Sequence, residues 1–173
     1  MDIDGKKAIV FGGTSGIGLS ATQMLSDKGA HVVALSRNPE KFKNVPKNVT
    51  TKKMNVLDRD ALEQFFEEIG EYDVLVNSAT GGNRAVGPFL SMDLDGYRAS
   101  FDKLWGYTNV VRYGTKYLKD NGNIVLVSGS PARKCRPGQI AISSVGGAVE
   151  AFARGIAPEI APKRINIVSP GII

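Results

Sequence analysis

A chain of 173 residues, 42% of them hydrophobic and 23% charged, can bury one core but is short for a core plus a second substrate domain, so residues 1–173 are read as a single domain. Lys and Arg exceed Asp and Glu by 22 to 17, but Lys41, Lys43, Lys47, Lys52 and Lys53 cluster without interleaved aromatics, which argues for a solvated face and against a nucleic-acid surface. With one cysteine (Cys135), no Cys/His spacing that suits a metal and no apolar run of membrane-spanning length, the expectation is a soluble, cytoplasmic protein with no internal disulfide, metal site, nucleic-acid partner or membrane partner.

The first predicted strand, residues 8–11, runs directly into Gly12-Gly13-Thr14-Ser15-Gly16-Ile17-Gly18. A strand that ends in a glycine-rich turn and starts a helix aims free backbone N–H groups, and the positive end of the helix dipole, at a pyrophosphate. The helix that follows is expected to present Ile17, Ala21, Met24 and Leu25 on one face and to end near Gly29. His31, the lone histidine, precedes the next strand, residues 32–35, which leads into Ser36-Arg37. Where such a strand meets an adenine ribose, an acid would bind the 2′-hydroxyl and repel a 2′-phosphate, whereas serine followed by arginine accepts that phosphate. The pair therefore predicts NADP(H) over NAD(H), with the Thr14 and Ser15 hydroxyls and Arg37 around the phosphate. The competing reading makes Arg37 an ordinary surface residue at a strand end.

Further along, Leu62, Phe65, Phe66 and Ile69 mark a helix ending at Gly70, followed by a strand at residues 74–76. The stretch Gly81-Gly82-Asn83-Arg84 to Pro88 reads as a loop beside the ligand crevice. One long helical region is expected to hold Leu94, Tyr97, Phe101, Leu104, Thr108 and Val111; a strand covers 124–127, a last helix holds Val145, Val149, Phe152, Ile156 and Ile160, and a final strand covers 165–168. This alternation predicts an α/β fold: a doubly wound, Rossmann-type parallel sheet with helices on both faces.

These residues resemble the short-chain dehydrogenase/reductase family over the whole chain. The family's T-G-x-x-x-G-x-G turn is matched by Gly12, Gly16 and Gly18, with Phe11 in place of the threonine; its adenine-contacting D-V is matched by Asn55-Val56. Its N-N-A-G is matched more loosely by Asn77-Ser78-Ala79-Thr80, and its R-x-N-x-x-x-P-G, leading to the nicotinamide, by Arg164-Ile165-Asn166 and Ser169-Pro170-Gly171. The resemblance implies a dinucleotide cofactor, a small-molecule substrate, and a homodimer or homotetramer paired through the long fourth and last helices. It also implies structure beyond the Pro-Gly, so these residues are expected to be part of a longer chain, the alternative being a shortened member with an open site.

In the family, a tyrosine supplies the proton that hydride transfer to a carbonyl requires, and a lysine four residues later on the same helix face lowers its pKa. A serine after the fifth strand holds the oxygen, and an asparagine from the preceding long helix completes the group. Ungapped alignment puts Gly129 at the serine position, Ile142 at the tyrosine position, Gly146 at the lysine position and Lys103 at the asparagine position. Lys103 could stabilise a developing oxyanion or donate a proton, or it could be a surface or snorkelling lysine. Ser128, or Ser130, could bind a substrate oxygen or satisfy local backbone; Tyr107 could supply a phenol but fits better as a packed side chain. Arg133-Lys134-Cys135-Arg136 reads either as a landing site for an anionic substrate or as a solvated loop.

Three functions follow. The first is an NADP(H)-binding oxidoreductase for a small carbonyl or alcohol, with Lys103 and Ser128 as substitute catalytic groups. The second is a non-catalytic NADP(H)-binding sensor or inactive partner subunit. The third, a scaffold that binds no nucleotide, draws its support from Phe11 and Thr80.

Overall fold

The computed structural model describes residues 2–80 and 83–171. Six strands form one all-parallel sheet in the order β3-β2-β1-β4-β5-β6, with β1 Lys7–Phe11, β2 His31–Ser36, β3 Val49–Lys53, β4 Tyr72–Asn77, β5 Leu118–Val127 and β6 Arg164–Val168. Five α-helices connect them: α1 Gly16–Asp27, α2 Arg59–Ile69, α3 Leu94–Ala99, α4 Asp102–Gly114 and α5 Ile140–Ile156. The order reverses at β1, so the crevice between the turns after β1 and β4 is the topological switch point where an open α/β sheet takes a ligand.

Alternation along β1 sends its side chains to two cores. Ile9 and Phe11 join α2, α4 and α5 through Phe65, Phe66, Tyr107, Val110 and Val149, while Ala8 and Val10 face α1 through Leu19, Ala21 and Leu25. All six residues of β4 are buried, as a central strand covered on both faces requires. Asp73 is the charge among them. Burial alone would raise its pKa, but the Lys7 N–H (3.0 Å), the Lys119 ammonium (3.2 Å) and Lys6 (3.8 Å) hold it below the usual carboxylate range. Because the folded pKa is depressed, this stabilisation is present above the unfolded value of ~3.9 and is lost as pH falls through the folded value. Asp73→Asn is expected to cost about 1–3 kcal/mol in urea unfolding at neutral pH and to flatten the acid limb of the stability profile.

Three features differ from the sequence reading. Strand β3, Val-Thr-Thr-Lys-Lys, escapes a search for apolar runs because it is the sheet edge, where lysines keep other chains from pairing; Lys52 there meets Glu68 at 2.8 Å. On α1 the buried positions are Gly18, Thr22 and Ser26; Ala21 and Leu25 of the expected face pack half-buried on the core, but Ile17 and Met24 are 38% and 61% exposed, because the helix start lies so close to the glycine turn that no side chain fits at Gly18. The long helical region is two helices broken at Ser100-Phe101, where the buried Ser100 hydroxyl accepts from the Ala85 N–H and donates to the Gly96 carbonyl, both at 2.9 Å. Ile160 also lies beyond α5, which ends at Ile156. Of the 81–88 loop, Gly81 and Gly82 lie outside the described residues. Among the described residues no helix is long and apolar enough to cross a membrane.

Candidate functional site

The carboxyl ends of the strands open into a cleft of about 700 Å³, within the range of cofactor and ligand pockets. Its floor is the glycine turn. The Gly12 and Gly13 N–H groups both donate to the Leu35 carbonyl, at 2.7 and 3.2 Å, tying the turn to β2. Gly12 takes φ 76°, and a Cβ there would lie 2.7 Å from Ser78 Oγ. At Gly18 a Cβ would run into the Gly12 carbonyl and Ser78 Oγ. Gly16 differs: at φ 51°, it has nothing within 4 Å of its Cβ direction. Ser15 precedes α1 without capping it, so the first N–H groups of α1 are not satisfied by that side chain. Clearance at Gly16, uncapped N–H groups and a helix dipole together fit an anionic dinucleotide.

At one end of the cleft stand Ser36 and Arg37, with Asn38 and Lys41 beside them. Thr14 and Ser15 line the cleft too, and the Thr14 hydroxyl donates to Ser36 Oγ at 2.7 Å, fixing the Ser36 side chain. Asn55 and Val56 line the same wall; Asn55 Oδ1 already accepts the Leu57 N–H at 3.1 Å, leaving one lone pair for a ligand. Ile17, Ser78, Ala79, Pro170 and Gly171 also line the cleft. Asn77 does not. It is fully buried behind the wall, where its Oδ1 accepts the Ala79 N–H at 3.1 Å and its Nδ2 has no partner among the described residues.

The other end brings together Lys103 from α4, Ser128 and Gly129 after β5, and Ile142 and Gly146 from α5. Lys103 Nζ donates to the Ser128 carbonyl at 3.3 Å and lies 5.4 Å from the centre of the Tyr107 ring. Burial first, and the nearby Arg84 guanidinium second, push its pKa down to about 8. Ser128 donates its hydroxyl to the Gly146 carbonyl at 3.1 Å, so toward a ligand it offers lone pairs and not a proton. A Cβ at Gly146 would lie 3.0 Å from Ala132 Cβ and 3.1 Å from Ser128 Oγ. Tyr107 is fully buried and donates to the Val127 carbonyl at 2.9 Å, with burial raising its pKa; it packs and is not available as an acid.

Arg133 is neither free nor simply solvated. Its Nε donates to the buried Glu150 carboxylate at 3.1 Å, which also accepts from Ser169 Oγ at 2.8 Å. Burial alone would raise the Glu150 pKa, but Ser169 and Arg133 hold it low. The pair joins the loops after β5 and β6 through α5, and the Ser130 N–H adds a 2.8 Å bond to the Pro170 carbonyl. Lys41, Arg84 and Gln139 also line the cleft and were not singled out as site residues by sequence reasoning. For Arg84 the signal was present, as a cation in a loop assigned to the crevice.

Residues 6–173 match the family model described as short chain dehydrogenase. The chain is 31% identical over 185 residues to 2,3-dihydro-2,3-dihydroxybenzoate dehydrogenase of Bacillus subtilis, covering 98% of this chain and 70% of that protein. It is 30% identical over 189 residues to 3-oxoacyl-[acyl-carrier-protein] reductase of Thermotoga maritima, covering 100% of this chain and 76% of that one. Among solved structures, a short chain dehydrogenase of Burkholderia cenocepacia in complex with NADP superposes with a TM-score of 0.91 at 27% identity, over 100% of this chain and 75% of that chain. A small-chain dehydrogenase in complex with NADPH gives a TM-score of 0.79 at 26% identity, over 98% and 71% of the two chains.

Proposed function

The chain belongs to the short-chain dehydrogenase family, and on that footing we propose an NADP(H)-dependent oxidoreductase for a small carbonyl or alcohol substrate, with an atypical proton donor. The observation that carries the reading is the pattern of charge and space in the cleft: an open helix N-terminus at Gly16, Ser36 with Arg37 and Lys41 at one end, and, among the described residues, no carboxylate on the lining. The α1 N-terminus and Ser15 would hold the pyrophosphate, Arg37 and Ser36 the 2′-phosphate, Asn55 and Val56 the adenine, and Pro170 and Gly171 the nicotinamide side. Bound NADPH supplies a hydride.

Lys103 then does the proton work. As an ammonium it faces the oxygen on which negative charge develops, and it gives up a proton from Nζ to that oxygen. A pKa of about 8 suits this task, since an unperturbed lysine at ~10.4 would be a far weaker acid near neutrality. Ser128 accepts from a substrate hydroxyl through its free lone pairs. The family resemblance extends the reading to a cytoplasmic homodimer or homotetramer paired through α4 and α5, which would cover Trp105, 61% exposed on α4.

One observation favours the second reading, a non-catalytic NADP(H)-binding sensor or inactive partner. No tyrosine lines the cleft among the described residues, and Ile142 and Gly146 stand where the resemblance expects tyrosine and lysine. Calorimetric titration tests what the two readings share, and turnover of a carbonyl panel followed by NADPH absorbance separates them. NADPH is expected to bind more tightly than NADH. Arg37→Ala should weaken NADPH about 10–100-fold while leaving NADH within about twofold, because it removes charge-assisted bonds that only the 2′-phosphate makes. Equal losses for both nucleotides would remove Arg37 from the phosphate site.

A further inference from the structure

The cleft carries its positive charge at two ends. Arg37 and Lys41 follow β2; Arg84 follows β4, and Lys103 stands beside the end of β5. From β2 to β5 the sheet steps through β1 and β4, three strand spacings of ~4.8 Å, or about 14 Å. Neither Arg84 nor Lys103 has an acidic partner within ion-pair distance among the described residues, whereas Arg133, close by in sequence after β5, is occupied by Glu150. Two cations that face one cavity repel each other, and burial at Lys103 adds a desolvation cost. Such an arrangement is relieved by an anion.

The cofactor does not supply that anion. On the reading proposed above, on which this inference rests, NADP(H) has three phosphoryl groups, two at the glycine turn and one at Ser36-Arg37. That reading assigns none of the three to Arg84 or Lys103, and the oxidised nicotinamide would add further positive charge. We infer that Arg84 and Lys103 form an anion subsite, and that the substrate is a small carbonyl or alcohol compound bearing an oxyanion group, carboxylate or phosphate. The planar Arg84 fork suits two oxygens of one such group, and Lys103 adds a point charge between that group and the reacting oxygen. The loop carrying Arg84 is held to the opposite rim by the Gly87 N–H, which donates to the Gly138 carbonyl at 2.9 Å, so the guanidinium is presented from a tethered segment. An arriving anion also offsets the repulsion from Arg84 and raises the proton affinity of Lys103, which keeps that amine charged for the reaction.

The test is binding, not turnover. Calorimetry of oxalate, and separately of inorganic phosphate, into protein saturated with NADP+ is expected to show uptake of at least one probe, weakened by added salt. Arg84→Ala should weaken that uptake about tenfold or more, Arg84→Lys should restore part of it, and NADP+ affinity should stay within about twofold in both variants. Uptake of oxalate alone would identify a carboxylate site and of phosphate alone a phosphoryl site, both supporting the inference. No uptake of either probe, or uptake indifferent to Arg84→Ala, would overturn it while leaving the cofactor reading intact. Parallel loss of NADP+ affinity in Arg84→Ala would give Arg84 to the dinucleotide and overturn it as well. Failure of the unmodified protein to bind NADP+ would remove the cofactor reading, and this inference with it.

Discussion

Lys103→Met is expected to lower turnover by about 10²- to 10⁴-fold while leaving NADPH affinity nearly unchanged, the range associated with removing a positioned general acid. Methionine keeps much of the length and the apolar stem of lysine and removes only the titrating end, so the contact with the Tyr107 ring, one turn further along α4, is preserved. The pH profile gives a second readout. Carbonyl reduction needs the ammonium, so its kcat/KM, which reports the free enzyme, should fall as pH rises through about 8, and that of alcohol oxidation, which needs the neutral amine, should rise through the same point. Folding stability carries the same signature. With the folded pKa depressed toward 8, the unfolded chain binds more protons between there and ~10.4, so stability should increase with pH across that window in the native chain and not in Lys103→Met. Unchanged turnover in Lys103→Met would leave the lysine without a chemical role, whereas no turnover in the native chain itself would favour the non-catalytic reading.

Gly18→Ala is expected to abolish measurable nucleotide binding, a loss of about 100-fold or more, because the added methyl meets the Gly12 carbonyl and Ser78 Oγ at once. Neither neighbour is free to move. The Gly12 N–H is tied to the Leu35 carbonyl, and Ser78 donates to the Phe11 carbonyl from both its N–H (3.0 Å) and its hydroxyl (3.1 Å). The strain therefore passes into α1, whose first turn carries the N–H groups that a pyrophosphate needs. Gly16→Ala provides the comparison: it meets no steric obstacle and suffers only from the positive φ of 51°, so its loss should be smaller. Equal losses in the two variants would show that backbone conformation, not crowding, governs this turn.

The glycine-turn and Ser36-Arg37 lining of the cleft was legible in the sequence because it is built from local signals. A strand, a glycine turn and a helix lie next to one another in the chain, and the strand-end pair Ser36-Arg37 is placed by the same unit. The fold was legible for a similar reason, since buried parallel strands read as apolar runs. β3 was missed because this edge strand, Val-Thr-Thr-Lys-Lys, carries no such run, whereas β6 at the opposite edge keeps Ile165, Ile167 and Val168. The Lys103 end of the cleft is assembled from α4, α5 and the loops after β4, β5 and β6, segments tens of residues apart, so pairings there had no periodic trace. Arg133 illustrates the difference: in sequence it is part of a basic run, and only the fold brings Glu150 within 3.1 Å of it. Tyr107 is the opposite case, where helical spacing favoured a packed phenol and the buried hydroxyl on the Val127 carbonyl agrees.

The narrow space beside Gly146 also bears on which activities a lineage of mutants could reach from this chain. Any side chain at 146 presses on Ala132 and on the Ser128 hydroxyl, at 3.0 and 3.1 Å, so an amine introduced there arrives together with a distorted loop. An adaptive walk toward a tyrosine at 142 and a lysine at 146 would have to begin at Ala132, with glycine opening room first. Laboratory evolution that samples single replacements at random should accordingly improve Lys103, the donor proposed on α4, long before it installs a new one on α5.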